Sequence, residues 1–154
     1  MRVALLTVGR PRQSGLADAI REYETRAARY WSLDVIEVKE ESARGLSVDQ
    51  VREREGARLL ERVTPDARVV ACDPGGDVLD SEAFAAWLGE QRDRAQNVAF
   101  AIGGAYGLGD AVKRRATRRL SLAPWTLPHE LARLVLAEQL YRAGTISRGE
   151  PYHK

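Results

Sequence analysis

The segment Val98–Ile102 is apolar at every position, and a pair of glycines ends it abruptly. An apolar run without polar alternation is typical of a strand in a parallel sheet that is covered on both faces. Other apolar runs at Arg2–Val8, 33–38 and 68–72 indicate further strands, and stretches with helical spacing separate them. We therefore predict an α/β fold with a mostly parallel sheet, in which ligands bind beyond the carboxyl ends of the strands.

Three helices are predicted between these strands. Apolar side chains recur every three or four residues over 16–30, which places them on one helix face. Ser47 and Gln50 have the spacing of a capping box, so we expect a helix from there to about residue 63. Ser81 is expected to cap the third helix.

A long helix is predicted over 129–143, after a short basic helix and a last strand at 120–122. Pro128 suits the start of a helix because the first turn does not need the missing N–H. The apolar positions of this helix exceed what one sheet face would cover. We therefore expect part of it to be buried in a homodimer interface.

The length of 154 residues fits a single domain over 1–154. The 24 Lys and Arg residues against 22 Asp and Glu leave a formal net charge of +2, so the sum predicts no strong general attraction to polyanions. The segment 113–119 nevertheless holds five cations in seven residues. This density suits phosphate contacts or, as the alternative, a solvated helix end.

The single cysteine, Cys72, cannot close an intrachain disulfide, and with only His129 and His153 it cannot build a cysteine-based zinc site. We therefore expect no metal and a reducing, cytoplasmic location. The apolar start at 3–8 is too short for a signal-peptide core or a membrane span, so no membrane association is predicted.

The sequence lacks the complete motifs of three common enzyme classes. Gly104 and Gly109 have the spacing of a phosphate loop, but Asp110 follows where lysine is required. The segment 129–133 begins like a metalloprotease helix, but Arg133 stands at the second ligand position and cannot bind zinc. No Gly-x-Ser-x-Gly elbow occurs, so hydrolase chemistry is not supported.

Glycines or prolines follow three predicted strands, at Gly75 and Gly76, at Gly103 and Gly104, and over 124–128. The carboxyl ends of parallel strands share one edge, so these loops are expected to form a cofactor pocket whose backbone approaches the ligand closely. The alternative is that the glycines serve turns alone.

Five segments of matching order and spacing carry a resemblance that spans the whole chain: 100–108, 120–122, 126–129, 136–143 and the ending Gly-Glu-Pro-Tyr-His-Lys at 149–154. On these segments the chain closely resembles the ribosomal RNA large subunit methyltransferase H family. The resemblance implies a homodimer and a SPOUT-type α/β knot with a C-terminal trefoil knot. It also implies methyl transfer from S-adenosyl-L-methionine to N3 of a pseudouridine in the helix 69 loop of 23S rRNA on assembled ribosomes.

The resemblance carries the family's S-adenosylmethionine contacts onto three predicted strand ends and the loop after the last of them: Cys72, Gly103, Leu122, Ala123, Pro124, Trp125, Thr126 and Leu127. The chain departs from the family pattern at Cys72, where an aliphatic residue is expected, and at Pro124 and Trp125. These departures bear on the shape of the adenine and methionine pockets, whereas backbone contacts are expected to persist.

The C-terminal residues are the candidates for catalysis and RNA binding. His153 is a candidate base because imidazole titrates near neutral pH, with a phosphate contact as the alternative role. Glu138 is the other candidate base, but we rank first an ion pair with Arg142, four residues later. Tyr152 is expected to stack on a base, and Arg142 and Lys154 to bind phosphate. We also expect this tail to contribute little to the fold.

Two other functions are compatible with the sequence. One is a ribosome-binding module that has the fold but no methyl transfer, which titration with S-adenosylmethionine would distinguish. The other is a methyltransferase of another structured RNA, such as tRNA, which only a substrate assay separates from the first interpretation.

Overall fold

The computed structural model describes residues 1–153, except for the side chain of His153. Its centre is a five-stranded sheet in the order β2-β1-β4-β3-β5. Every neighbouring pair of strands is parallel, which confirms the predicted parallel sheet. The strands are β1 (Arg2–Val8), β2 (Ser32–Val38), β3 (Arg68–Val78), β4 (Val98–Ile102) and β5 (Arg118–Ser121).

The helices are α1 (Ser14–Ala27), α2 (Val48–Leu60), α3 (Ser81–Asp93), α4 (Asp110–Arg115) and α5 (His129–Ser147), and a 3₁₀ turn follows at Pro151–His153. The capping box of α2 is confirmed, because Ser47 Oγ accepts the Gln50 N–H at 3.1 Å and Gln50 Oε1 accepts the Ser47 N–H at 2.9 Å. The predicted cap of α3 was wrong: the side chain of Asp80, not that of Ser81, accepts the first-turn N–H. Within the described residues, no helix is long and apolar enough to cross a membrane.

Helices cover the sheet on both faces. All of β4 is buried, and its side chains alternate between two hydrophobic clusters. Phe100 faces the cluster that contains Leu136 of α5, whereas Ala101 faces the cluster that contains Leu59 of α2. This arrangement explains why the β4 sequence shows no polar alternation.

β3 is longer than predicted. We expected it to end at Cys72, but it continues to Val78 through an irregularity between Cys72 and Asp77, where its register with β5 shifts. The proline and glycines of this stretch are therefore accommodated inside a strand, as is common at such irregularities. Gly76 is required by packing, since a Cβ there would lie 2.5 Å from the carbonyl carbon of Arg119.

α5 packs against α1 and α3 and runs beyond its predicted end at residue 143. The indole of Trp31 donates a hydrogen bond to the Leu140 carbonyl at 2.7 Å, which fixes the helix to the segment before β2. An apolar stripe of α5 remains partly exposed and comprises Leu131, Leu134 and Val135. The homodimer and the trefoil knot stay predictions.

Candidate functional site

A cavity of about 900 Å³ opens at the carboxyl ends of β4 and β5, beside the irregularity of β3. The loops 103–108 and 122–128 form its walls, and the first turn of α5 closes one side. Its volume is that of a small-molecule site, and its lining combines apolar side chains with glycine backbone. The cavity brings together most of the predicted cofactor positions, namely Cys72, Gly103, Leu122, Ala123, Trp125, Thr126 and Leu127, whereas Pro124 does not line it.

The loop after β4 folds back on itself. The Gly107 N–H donates to the Gly104 carbonyl at 3.0 Å, and Gly107 has a φ of +80°, which favours glycine. A Cβ at Gly103 would lie 2.3 Å from the Gly107 carbonyl carbon, so this close approach requires glycine. Arg52 of α2 donates its Nε–H to the Tyr106 carbonyl at 2.6 Å and holds the loop from outside.

The other two predicted loops, at Gly75 and Gly76 and over 124–128, contribute differently to the cavity. Gly75 and Gly76 do not line the cavity but a separate groove, so the expectation that they join the cofactor pocket was wrong. Cys72 lines the cavity, and burial raises the pKa of its thiol to about 12, so the group stays neutral. Trp125 lines the cavity and is 77% exposed.

Asp73 is a cavity residue that the sequence analysis did not single out. Its carboxylate accepts hydrogen bonds from Lys113 at 2.8 Å, from Arg119 at 3.0 Å and from the Gly75 N–H at 2.8 Å. Burial opposes ionisation, but these contacts outweigh it and lower the pKa of Asp73 to about 2. The signal was its place directly after a predicted strand, although its two cationic partners, Lys113 and Arg119, lie about 40 residues further along the chain, beyond any local pattern.

Glu55 of α2 lies behind the glycine loop and is 3% exposed. Its Oε1 accepts the Glu41 N–H at 3.0 Å, while its buried Oε2 has no hydrogen-bond partner within the described residues. A Cβ at Gly104 would lie 2.7 Å from that Oε2, so the carboxyl packs directly against the loop. Burial raises the pKa of Glu55, and the neighbouring Glu40 adds to the effect.

A buried arginine anchors the start of α5 near the cavity. Arg133 is 6% exposed, and it donates to Glu24 of α1 at 2.7 Å and to Glu37 of β2 at 2.8 Å. The cation is therefore paired with a carboxylate from each of two elements, as a buried charge requires. Through these contacts, α1 and β2 fix the helix whose first turn closes the cavity.

The predicted ion pair between Glu138 and Arg142 is confirmed, with Arg142 Nε 3.0 Å from Glu138 Oε1. The Tyr152 hydroxyl donates to the same oxygen at 3.1 Å, and the Gln139 amide donates to Glu138 Oε2 at 2.8 Å. Burial and the hydroxyl of Tyr23 raise the pKa of Tyr152, so its hydroxyl stays protonated. None of these side chains lines the cavity of its own chain.

Tyr152 of the tail is packed against the fold, contrary to expectation. The Tyr152 ring lies 4.5 Å from that of Tyr141, between ring centroids, and the Arg142 guanidinium lies 4.9 Å from the centroid of Tyr152. Aromatic packing against α5 thus supplies the anchor that the sequence analysis judged to be missing. The side chain of His153 and the whole of Lys154 lie outside the described residues.

Comparisons with known proteins agree over the full chain. Residues 1–153 match the model of the family described as "Predicted SPOUT methyltransferase". A protein of Gemmatimonas aurantiaca named ribosomal RNA large subunit methyltransferase H is 73% identical over 154 residues, with 100% of each chain covered. A protein of the same name from Anaeromyxobacter sp. (strain K) is 48% identical over 155 residues, again with 100% of each covered.

One solved structure reproduces the fold at low sequence identity. It is a probable methylase family protein from Haemophilus influenzae Rd KW20, with a TM-score of 0.57 and 12% identity. The match covers 99% of this chain and 70% of that chain. At this identity the similarity concerns the fold alone.

Proposed function

Because this chain belongs to the SPOUT methyltransferase family, we propose that it methylates N3 of a pseudouridine in the helix 69 loop of 23S rRNA, using S-adenosylmethionine. The proposed setting is the assembled ribosome in the cytoplasm. Relatives named ribosomal RNA large subunit methyltransferase H, matched over their full length, support the substrate class. The observation that carries the proposal is the glycine-walled cavity at the carboxyl ends of β4 and β5.

The residues of the cavity fit the cofactor. The fold-back at Gly103 leaves backbone amides and carbonyls as the cavity wall, and such groups can read the edge of an adenine without charged side chains. Apolar side chains of Ile102, Leu108 and Leu127 offer contact area to the rest of the ligand. When bound, the cofactor supplies an electrophilic methyl group. The protein's task is to hold the nucleotide nitrogen in line with it.

The groups that act on the nucleotide come from a C-terminal cluster, which comprises Glu138, Arg142, Tyr152, His153 and Lys154. His153 removes the imide proton, and Tyr152, Arg142 and Lys154 contact the RNA. Glu138 orients Arg142 through the observed ion pair rather than acting as the base, because hydrogen-bond donors occupy both of its oxygens.

A homodimer would place the C-terminal cluster of one chain at the cavity of the other. Since Glu138, Arg142 and Tyr152 do not line the cavity of their own chain, we propose that a second copy brings the tail across. The partly exposed stripe at Leu131, Leu134 and Val135 lies beside the cavity-closing turn of α5 and offers the apolar surface. A stable interface should bury at least about 1,000 Å² in total. Sedimentation at micromolar concentration should therefore report a dimer, and a monomer would contradict this assignment.

The decisive experiment is mass spectrometry of 23S rRNA from cells that lack this protein. Adding back the wild-type protein should restore one methyl group in helix 69, whereas Gly103→Ala should not. Gly89→Ala is the matched control, because no atom lies within 4 Å of the Cβ it adds in α3. If the wild-type protein binds S-adenosylmethionine but leaves the RNA mass unchanged, the substrate proposal fails.

A further inference from the structure

A second groove, of about 630 Å³, lies beside the cofactor cavity at the β5 edge of the sheet. This β5 groove is lined by cationic side chains from β3, α4 and β5, namely Arg68, Lys113, Arg118 and Arg119. We infer that the β5 groove binds the phosphate backbone of the RNA strand that carries the target nucleotide. The inference rests on the proposed methylation of RNA and names the surface that would hold the strand.

The charge of the β5 groove is a local excess. The four cations face one lining carboxylate, Asp77, and a second, Asp73, which pairs with two of them, so two positive charges remain in excess. The Asp77 side chain is 68% exposed and lies 3.5 Å from Arg118, so solvent screens this pair. A groove on α1 differs, since its three arginines face two lining carboxylates and two of them are paired, as Arg21 is with Asp18 at 2.7 Å. The β5 groove therefore attracts phosphate more strongly than the α1 groove does.

Arg118 is held in a geometry suited to phosphate. Its guanidinium lies over the Trp87 ring, 5.3 Å from the centroid. Contact with an aromatic face orients the planar guanidinium while leaving donors at its edge available. The side chain is 27% exposed, so these donors reach solvent. Because the ring limits the motion of the cation beforehand, less side-chain freedom is lost when a phosphate binds.

Two glycines shape the wall of the β5 groove. A Cβ at Gly76 would lie 2.5 Å from the Arg119 carbonyl carbon, and one at Gly75 would lie 3.0 Å from the Arg119 guanidinium. Without these side chains, β3 and β5 approach closely and the wall is bare backbone. β5 is also an edge strand, so within the described residues no further strand covers the groove. An extended polymer can therefore lie along it.

Lys113 joins the β5 groove to the cofactor cavity, because it lines both. Its ammonium and the Arg119 guanidinium share the Asp73 carboxylate, which lies at the cavity. A strand whose phosphates lie in the β5 groove is thus within one side chain of the methyl-transfer site. This adjacency favours a polynucleotide over an isolated phosphate, since the neighbouring nucleotide would enter the cavity.

The test measures binding of a helix 69 RNA fragment at several salt concentrations for wild type, Arg118→Gln and Arg118→Lys. Each lost phosphate contact lowers the slope of log Kd against log salt by about 0.7 to 0.9, so Arg118→Gln should show this decrease and Arg118→Lys should not. Arg21→Gln, at a 72% exposed side chain of α1, is the matched control and should keep the wild-type slope. S-adenosylmethionine affinity and melting temperature serve as checks on folding.

The outcomes separate the two proposals. If Arg118→Gln keeps the wild-type slope while the wild-type protein methylates the RNA, the β5 groove assignment is overturned and the proposed function stands. If the slope decreases as expected but no methyl group is transferred, the groove is supported and the proposed reaction fails. If inorganic phosphate at matched ionic strength protects Arg118 from a guanidinium-modifying reagent as well as the RNA does, the groove is a simple anion site and the inference is wrong.

Discussion

Replacing Gly103 with alanine should weaken S-adenosylmethionine binding by about 100-fold. A Cβ at this position would lie 2.3 Å from the Gly107 carbonyl carbon and 2.5 Å from its oxygen, whereas ordinary contacts begin at 3.4 Å. The loop 103–108 must therefore move by about 1 Å, and we expect the cofactor affinity to fall by the factor that such a misplacement costs in catalysis, on the order of 100-fold. This factor corresponds to about 2.7 kcal/mol of binding free energy.

Calorimetric titration with S-adenosylmethionine measures the loss directly. Gly89→Ala should bind like wild type and gain roughly 0.5 to 1 kcal/mol of stability, because it removes a glycine from the interior of α3 where its Cβ meets nothing. Thermal melting of both variants separates a local change of the loop from unfolding. If Gly103→Ala bound the cofactor within about threefold of wild type, the argument from the loop fold-back would be refuted.

Three further variants test the described contacts. Arg133→Met leaves Glu24 without its cation and Glu37 with only the exposed Arg10, so the free energy of unfolding should fall by about 3 to 5 kcal/mol and the melting temperature by roughly 10 °C. A loss under about 1 kcal/mol would contradict the pairing. Burial raises the pKa of Glu55, so its stabilising contribution is complete below the unfolded pKa of about 4.3 and is lost as pH rises through the folded pKa. Glu55→Gln should remove this loss of stability, measured as the urea midpoint of unfolding at increasing pH. An unchanged pH dependence would show that Glu55 is not its source. Tyr152→Ala should cost about 1 to 2 kcal/mol in urea unfolding, where a free tail would cost nothing.

Sequence patterns predicted the sheet because a strand that is buried on both faces consists of apolar residues. β4 is apolar throughout since both of its faces are covered, and the Ser47 capping box depends on contacts only three residues apart. The prediction for β3 failed because proline and glycines indicate a turn unless a neighbouring strand supports them. β5 provides that support from a segment about 40 residues away, which no local window includes.

In the candidate site, too, local patterns could be predicted and contacts between distant residues could not. Seven of the predicted cofactor positions line the cavity, and they could be predicted because they lie at strand ends and match a family pattern. The Asp73 cluster and the anchoring of Tyr152 depend on pairs distant in the chain, such as the Tyr23 and Tyr152 hydroxyls at 3.4 Å. A short tail with one aromatic ring looks free until the surface that receives the ring is known.

The position of β4 between β1 and β3 has a consequence for synthesis. β1 and β2 are complete after about the first 40 residues, but β1 and β3 have no common edge until residues 98–102 arrive between them. A nascent chain therefore carries an open edge of β1 from the completion of β2 until β4 arrives, and an open edge of β3 as well once β3 is made, and such edges can pair with other chains. Closing contacts across this separation is also slow. A substitution that delays β4 docking should thus lower the yield of soluble protein in the cell, even where the finished molecule is as stable as wild type.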